Sequence, residues 1–416
     1  MQGFTWLGKV FFEVCLVFGT SSSAGIYDAV AKVVLYVAAA LASFPLHLCI
    51  QHLDDVCACS PEGSNAVDSF YSSYLNTCKQ LNIQLAKPTD PDKCFSPRMD
   101  GQVLGVNYDS VDMTWHLSQE KLSIILLLIE QVLEQGEATA REMKKLSGKL
   151  VDIRDLIPGS KFHLAHLMMA ACKFTEKQDM EEVVEVEDWL RADLEYFAVV
   201  LPVYSHRTRL QDPDRKPDCW ALESHTDAAG GSKDSLGRGV GMTLFPNLWT
   251  IVLWGKRINQ GWRSYNGKSL SNAMSAWELV GPVLTLVCGG NRLTGKQLKV
   301  YVDNEGSVIM WRKGWCMPCD LCNTLMVALH QISTALACEL YLCSIGRCSN
   351  PQSEAADALS KCDMARFKQN MPEANTAPED VPGALLAWLE NPVPDRLLGD
   401  RILRQMANKW DLVGYY

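Results

Sequence analysis

The stretch Ser224–Leu244, SHTDAAGGSKDSLGRGVGMTL, contains two short runs of small and apolar residues separated by a glycine-rich segment. Runs of this kind, bounded by glycines, are typical of two β-strands joined by a turn. Asp227 stands at the end of the first run, so a carboxylate directly follows a segment that favours burial. An ordinary turn explains an isolated acid in this setting. Whether Asp227 is a metal ligand depends on the acids that come after it in the chain.

Three further acids occur in distinctive settings before residue 363. Glu278 lies in SNAMSAWELVGPVLTLV, which has apolar positions at helical spacing; Asp303 ends the strand-like run QLKVYVD; and Asp357 lies in the helix start SEAADALSK. Carboxylates that converge on one point repel each other, and two Mg²⁺ ions held about 3.5–4 Å apart would neutralise them. A solvated helix position explains Glu278 or Asp357 taken singly. It explains Asp227 and Asp303 less well, because each comes directly after a strand.

Taken in this order, four motifs resemble the ribonuclease H domain of retroelement reverse transcriptases. They are TDAAG (Thr226–Gly230), AWELVGP around Glu278, YVDN (Tyr301–Asn304) and ADALS (Ala356–Ser360). The resemblance implies a mixed five-stranded sheet with helices, and Mg²⁺ or Mn²⁺ bound by Asp227, Glu278, Asp303 and Asp357. It also implies hydrolysis of the RNA strand of an RNA–DNA hybrid. Many cellular members carry a histidine shortly before the last acid, but CSIGRCSNPQSEAAD has none, and we expect His225 and His330 to be structural or exposed.

The segment CIQHLDDVCACS (49–60) places Asp54 and Asp55 between two apolar runs, which predicts a β-hairpin. On this feature alone a plain Asp-rich turn and a metal site are equally good explanations. With VFGTSSSAGIYDAVAKVV before it, and Lys87 and Leu104-Gly105 after it, the segment resembles the palm of reverse transcriptases, most closely those of DIRS-like retroelements. The resemblance extends from about residue 3 to about residue 362 and implies that Asp54 and Asp55 are remnant polymerase metal ligands.

Two palm positions depart from the family pattern: His52 replaces the usual Tyr and Ala24 the usual Pro. The family also has a metal-binding Asp on a strand upstream of this segment, and we expect this chain to be an N-terminally truncated palm without it. Nucleotidyl transfer by two metal ions needs carboxylates from both strands. We therefore expect no DNA synthesis by this chain alone.

The 416 residues exceed what one core usually holds, so we expect several domains of α+β class. A partial palm is predicted at 1–113 and a helical thumb/connection at 114–210, beginning near Ser118, a plausible N-cap. A linker at 211–218 precedes a ribonuclease H-like domain at 219–362. Residues 363–416 are predicted to be a linker, centred on 370–383, and a helical tail.

Charge and cysteine content narrow the partners and the compartment. The net charge of −9 argues against strong unaided attraction to nucleic acid, but basic residues exceed acidic ones within 219–362, where a polyanion such as an RNA–DNA hybrid is expected to bind. The sixteen scattered cysteines indicate an intracellular, cytoplasmic or nuclear, protein. The apolar run 33–50 is best explained by a buried helix followed by a strand, so no membrane partner is expected. No small-molecule cofactor is expected either. The oligomeric state stays open.

Two alternatives concern a zinc site and the loss of activity. Cys316, Cys319 and Cys322 have C-x2-C-x2-C spacing and could bind zinc with Cys338, Cys343 or Cys348 as a fourth ligand, although small apolar roles at a helix start are favoured. The leading prediction is a retroelement-derived reverse transcriptase fragment with ribonuclease H activity. The alternative is a catalytically inactive relic that acts at most as an interaction module for nucleic acid or protein.

Overall fold

The structure is a computed structural model, and it describes residues 3–6, 9–12, 21–52, 55–85, 96–103, 105–154, 156–157, 159–172, 180–204, 208–209, 222–229, 238–244, 246–253, 255–266, 274–316, 319–346 and 350–410. The chain is a mixed α+β protein, as the sequence predicts. It divides into two compact units, Met1–Leu122 with Ser205–Leu210, and Ser123–Tyr204 with Gln211–Tyr416. The domain boundaries predicted from the sequence stay predictions.

The helices and strands are numbered in chain order. The strands are β1 (Gly3–Trp6), β2 (Lys9–Phe12), β3 (Cys49–His52), β4 (Asp55–Ala58), β5 (Asp100–Val103), β6 (Val106–Asp109), β7 (Thr114–Leu117), β8 (Glu137–Thr139), β9 (Val183–Glu185), β10 (Thr208–Arg209), β11 (Leu222–Ala228), β12 (Gly239–Leu244), β13 (Leu248–Leu253), β14 (Gln297–Val302) and β15 (Glu339–Ser344). The helices are α1 (Ser21–Ala42), α2 (Ala66–Gln80), α3 (Gln119–Gln135), α4 (Ala140–Asp152), α5 (Ala165–Cys172), α6 (Asp188–Tyr204), α7 (Lys256–Asn266), α8 (Met274–Gly289), α9 (Glu305–Lys313), α10 (Asp320–Ala335), α11 (Pro351–Ser360), α12 (Met364–Asn370), α13 (Gly383–Glu390) and α14 (Leu398–Trp410).

The first unit combines small antiparallel sheets with two packed helices. Strands β1 and β2 pair with each other, as do β3 and β4, and a four-stranded antiparallel sheet has the order β10-β7-β6-β5. Helices α1 and α2 enclose a small core in which the rings of Phe44 and Phe70 lie 4.8 Å apart. The β3–β4 pair confirms the predicted hairpin.

The apolar run 33–50 forms the predicted helix followed by a strand, but the predicted burial of the helix is wrong for most of its surface. Val34 and Ala38, one helical turn apart, are buried, whereas Val33 and Val37 are exposed. Only 22% of the window Gly25–Ala42 is buried, and its length and composition alone would allow it to cross a membrane. The packing of α2 on one side of α1 explains the burial, because a helix buries only the face that meets a neighbour.

The helices of the predicted thumb region begin at capping residues that the sequence provides. The hydroxyl of Ser118 accepts the backbone N–H of Lys121 at 3.2 Å, which confirms the predicted start of α3. Thr139 and Glu142 form a reciprocal capping box at the start of α4. These bonds satisfy backbone donors that the first helical turn leaves without intrahelical partners.

A mixed five-stranded sheet organises the second unit, as expected for residues 219–362. Its strand order is β13-β12-β11-β14-β15, with antiparallel pairing from β13 to β11 and parallel pairing from β11 to β15. Parallel neighbours need a crossover element, and α7 and α8 lie between β13 and β14 in the chain, whereas α9 and α10 lie between β14 and β15. Side chains from the sheet, α8 and α10 form a large buried cluster.

Two glycines bring helices close to opposite faces of the sheet. A Cβ on Gly281 of α8 would lie 2.5 Å from the Cβ of Thr226. A Cβ on Gly241 of β12 would lie 2.6 Å from the carbonyl oxygen of Ala356 in α11. Because side chains alternate along β11, Thr226 faces α8 while its neighbour Asp227 faces α11.

The residues after 362 are part of this unit's core. Trp388 of α13 and Trp410 of α14 are buried, and Trp262 Nε1 donates to the carbonyl oxygen of Leu389 at 2.9 Å. The segment 370–383 runs along the sheet edge at β13, where Glu379 N–H donates to the carbonyl oxygen of Trp249 at 2.8 Å. The predicted linker and tail are therefore packed against the five-stranded sheet.

A buried ion network joins the predicted thumb helices to this tail. Asp193 of α6 is fully buried, lies 3.0 Å from His166 Nδ1, and accepts a hydrogen bond from the guanidinium of Arg396. Burial raises the pKa of Asp193. Hydrogen bonds from His163 and His166 and the charge of Arg396 lower it by a larger amount, so its pKa lies below the ordinary value. The carboxylate is thus held ionised inside the unit.

Candidate active site

Two of the predicted acids lie side by side at one edge of the five-stranded sheet. Asp227 is the penultimate residue of β11, and Asp303 comes directly after the last residue of β14. The parallel register pairs Thr226 with Val302, so the next residue of each strand is an aspartate. Asp227 is 4% exposed. The carboxyl ends of two adjacent parallel strands therefore present neighbouring carboxylates.

Asp357 approaches the same edge from α11. This helix begins with an Asn350–Ser353 capping box and Pro351 at its first turn. One turn later, Asp357 is 2% exposed. The hydroxyl of Ser360, also on α11, donates to Asp227 Oδ2. This hydrogen bond links the helix that carries Asp357 to the carboxylate of Asp227.

Two cations hold the carboxylate of Asp357. Lys361 Nζ donates to Oδ1 at 2.5 Å, and Arg366 Nη1 donates to Oδ2 at 2.8 Å. The side chains of Lys361 and Arg366 are 41% and 33% exposed, while that of Asp357 is 3% exposed. Burying a carboxylate without compensation is costly, and these two cations provide the compensation here.

Glu278 reaches the same level of the sheet from its other face. Ser224 Oγ lies 2.8 Å from Thr285 Oγ1, and Thr226 lies against Gly281, so α8 runs antiparallel to β11. Glu278 stands three residues before Gly281, about 4.5 Å along the helix axis at ~1.5 Å per residue. Its backbone is therefore level with the carboxyl end of β11, and its side chain is 4% exposed.

A small pocket opens where these elements meet. Three of the four predicted acids line it, and Glu278 is not among the lining residues. The pocket is lined by His225, Thr226, Asp227, Tyr301, Asp303, Ile345, Gly346, Ser353 and Asp357.

His225, which was expected to be structural or exposed, lies in the wall of this pocket. Its ring stacks on Tyr301 with centroids 4.7 Å apart, and burial lowers its pKa to about 4. The ring is therefore neutral near pH 7. Its two-residue spacing from Asp227 is the signal that could have placed it here, since positions i and i+2 of a strand share a face.

Lys361, Arg366 and the hydrogen bond from Ser360 to Asp227 are also absent from the sequence-based predictions. Lys361 stands four residues after Asp357, a spacing that puts both side chains on one helix face. Arg366 belongs to the next helix, and no periodicity in the sequence relates it to Asp357. The sequence could therefore have indicated Lys361 but not Arg366.

The chemistry of the acids suits a hard divalent cation. Carboxylate oxygens are the ligands that Mg²⁺ and Mn²⁺ prefer, and Asp227, Asp303 and Asp357 line one pocket. Within the described ranges, however, no three His, Cys, Asp or Glu side chains are placed to hold one ion together. Both oxygens of Asp357 accept hydrogen bonds from Lys361 and Arg366, so a metal ion bound by this carboxylate would compete with two cations.

The second predicted carboxylate pair lies largely outside the described residues. Leu53 and Asp54 are not described, and neither is the side chain of Asp55. The backbone of Asp55 opens β4 opposite His52, so Asp55 is a strand residue and not part of the predicted turn. The expectation that Asp54 and Asp55 bind metal stays a prediction.

The zinc hypothesis for Cys316, Cys319 and Cys322 gains no support from the described side chains, which contain no three-ligand metal group. Cys338 lies beyond the far end of α10, sixteen residues after Cys322, about 24 Å along a helix at ~1.5 Å per residue. Cys338 is therefore too distant to be a fourth ligand.

A scan of the chain against protein-family models and a search of curated proteins found no match.

Proposed function

We propose that residues 219–362 form a ribonuclease H-like domain that hydrolyses the RNA strand of RNA–DNA hybrids with Mg²⁺ or Mn²⁺, within a reverse transcriptase fragment derived from a retroelement. The observation that carries this is the pairing of Asp227 and Asp303 at the ends of adjacent parallel strands. Asp357 lines the same pocket from α11. Three of the four sequence motifs thus supply an acid to one pocket, and Glu278 of the fourth is buried on the other face of the sheet.

Each acid has a distinct task in this proposal. Asp227 and Asp303 hold the metal ions, with Glu278 supporting from α8 and Asp357 from α11. When bound, the ions would activate water and stabilise the leaving oxygen of the phosphodiester. Ser360 fixes Asp227 by its hydrogen bond, and the neutral ring of His225 closes one wall of the pocket without adding positive charge.

Lys361 and Arg366 control when Asp357 takes part. While both cations are bound to it, the carboxylate is neutralised and directed toward α12. A divalent ion held by Asp227 and Asp303 would compete for the same oxygens. Lys361 and Arg366 are partly exposed, and a polyanionic substrate could bind them if they were released.

A cleavage assay with matched variants tests the proposal. The purified full chain is incubated with an RNA–DNA hybrid labelled on the RNA strand at millimolar Mg²⁺, and RNA products are resolved by length. Wild type should cut the hybrid and leave single-stranded RNA intact, and Asp227→Asn should be inactive. Asp152→Asn, which changes an exposed aspartate at the end of α4, should cut like wild type. Equal cleavage by Asp227→Asn and wild type would refute the assignment.

The alternative is a relic that binds nucleic acid without cutting it. The observation that favours it is the engagement of both Asp357 oxygens by cations, together with the lack of a three-ligand metal group among the described side chains. Fluorescence anisotropy with the labelled hybrid separates the two functions. Saturable binding by wild type with no cleavage in either Mg²⁺ or Mn²⁺ would favour the relic.

A further inference from the structure

Three cysteines meet at the start of α10. Cys316, Cys319 and Cys322 are free thiols, and hydrogen-bond interactions connect each pair of side chains. None of them lines the pocket that contains Asp227 and Asp303. The ribonuclease H proposal therefore does not use these thiols. A role proposed for them can be tested, and can fail, independently of that proposal.

The helix start places two of these thiols at the spacing of a disulfide. Cys319 is the N-cap of α10, and its Sγ accepts the backbone N–H of Cys322 at 3.4 Å. Residues three apart on one helical turn have Cα atoms about 5 Å apart, within the range of about 4.4–6.8 Å that a disulfide requires. Cys319 and Cys322 can therefore be joined without unwinding the helix.

A buried asparagine holds the third cysteine against this turn. Asn323 is 4% exposed; its Oδ1 accepts the N–H of Cys316 at 2.8 Å, and its Nδ2 donates to the Cys316 carbonyl oxygen at 3.1 Å. The N–H of Cys319 in turn donates to the same carbonyl oxygen at 3.2 Å. The cluster is thus fixed by backbone bonds and does not depend on the thiols alone.

The three thiols differ in acidity because two of them donate to the third. Hydrogen bonds from the thiols of Cys316 and Cys322 lower the pKa of Cys319 far below its ordinary value. The contact with Cys319 raises the pKa of Cys316. Contacts with Cys316 and with Cys319 raise the pKa of Cys322, and burial raises it further. A thiolate at a helix N-terminus also interacts favourably with the helix dipole. The lowered pKa favours the thiolate on Cys319, and the raised pKa values favour the protonated thiols of Cys316 and Cys322.

We propose that Cys319 and Cys322 are a redox-active dithiol that takes low-molecular-weight disulfides such as oxidised glutathione. The Cys319 thiolate attacks one sulfur of the disulfide, forms a mixed disulfide and releases one thiolate. That thiolate takes the proton of Cys322, whose sulfur then attacks Cys319 Sγ and expels the second thiolate. That second thiolate takes a proton from water, so the two cysteines lose two electrons and the oxidant leaves as two thiols.

The local structure favours the reduced state of this pair. Reduced Cys319 carries a negative charge that caps α10 and accepts hydrogen bonds from its neighbours. Formation of the disulfide removes that charge and the Cys322 thiol donor. Because a stabilised reduced form makes a disulfide easy to reduce, the bond is expected to form under oxidising conditions and to be reversed readily by excess thiol.

Peptide mapping after controlled oxidation tests the pairing. The full chain is equilibrated with oxidised glutathione, free thiols are blocked at low pH, and digested peptides are analysed by mass spectrometry. We expect a Cys319–Cys322 disulfide that disappears after reduced glutathione is added, while the exposed Cys362 carries at most a mixed disulfide. Cys319→Ser keeps a residue that caps helices well and should leave Cys322 reduced. Persistence of all three cysteines as thiols would overturn the proposal.

The pH dependence of alkylation provides a second test that needs no variant. An ordinary thiol below its pKa becomes about tenfold more thiolate per pH unit, so the iodoacetamide rate of free glutathione, used as a reference thiol, should rise about 100-fold between pH 5.5 and 7.5. The rate at Cys319 should change less than about threefold over that interval. Parallel pH profiles for Cys319 and glutathione would contradict the thiolate assignment, as would tightly bound stoichiometric zinc that is lost in Cys319→Ser.

Discussion

Replacing Arg366 by alanine removes one of the two cations that neutralise the buried carboxylate of Asp357. The lost bond joins Arg366 Nη1 to Asp357 Oδ2 at 2.8 Å. Hydrogen bonds to charged groups contribute roughly 1.5–3 kcal/mol, but Lys361 stays in place and the Arg366 side chain is 33% exposed, so solvent weakens the interaction. Without divalent ions we therefore expect Arg366→Ala to lower the free energy of unfolding by about 1–2 kcal/mol.

The same substitution should strengthen metal binding, because Arg366 would compete with the proposed ion for one carboxylate. If wild type loses about 1–2 kcal/mol on releasing Arg366, the variant should bind Mg²⁺ roughly 5- to 30-fold more tightly. Urea unfolding of both proteins over a Mg²⁺ titration measures this, since a ligand of the folded state adds stability that grows with its concentration relative to its dissociation constant.

The stability deficit of Arg366→Ala should therefore shrink as Mg²⁺ rises. Arg312→Ala, which changes an exposed arginine in the last turn of α9, is the matched control and should behave like wild type. The free energy of unfolding of Arg366→Ala is compared with that of wild type without Mg²⁺ and at a Mg²⁺ concentration about tenfold above the wild-type dissociation constant. The same difference under both conditions would refute the competition between Arg366 and the ion.

Three other experiments probe the packing around the site, the buried ion network and the predicted absence of DNA synthesis. Gly241→Ala should lower hybrid cleavage at least about tenfold and destabilise the fold by roughly 1–3 kcal/mol, because its Cβ would press on the α11 backbone; wild-type cleavage would contradict this. Asp193→Asn should destabilise by about 3–5 kcal/mol in urea unfolding, because Arg396 is left buried without its anion; a loss below about 1 kcal/mol would count against the network. Primer extension on an RNA template should show no nucleotide incorporation by the purified chain, and templated products would overturn that expectation.

The parts of the site that were predictable from the sequence are those set by local pattern. Asp227 and Asp303 each end an apolar run, and strands that end in an acid and pair in parallel bring those acids to one edge. Glu278 lies on the predicted helix. The hairpin around Asp55 and the N-cap at Ser118 result from equally local rules.

The parts that were missed depend on partners distant in the sequence. Arg396 and Asp193 are 203 positions apart, and nothing in either segment indicates the other. The proline-rich segment 370–383 has the composition of a linker, yet its backbone bonds to β13. The apolar run that forms α1 predicts burial, but a single neighbouring helix covers only one of its faces. Composition indicates the environment that a segment favours, and tertiary contacts decide where it lies.

The most direct test of the central assignment is the initial rate of RNA cleavage in a hybrid duplex, measured over a Mg²⁺ titration for wild type and Asp303→Asn. We expect Mg²⁺-dependent cutting by wild type and a rate lower by more than about 100-fold in the variant, since even outer-shell partners of a metal contribute about 10- to 100-fold. Equal rates for the two proteins, or a hybrid left intact by wild type at every Mg²⁺ concentration, would contradict the assignment of Asp227, Glu278, Asp303 and Asp357 as a ribonuclease H site.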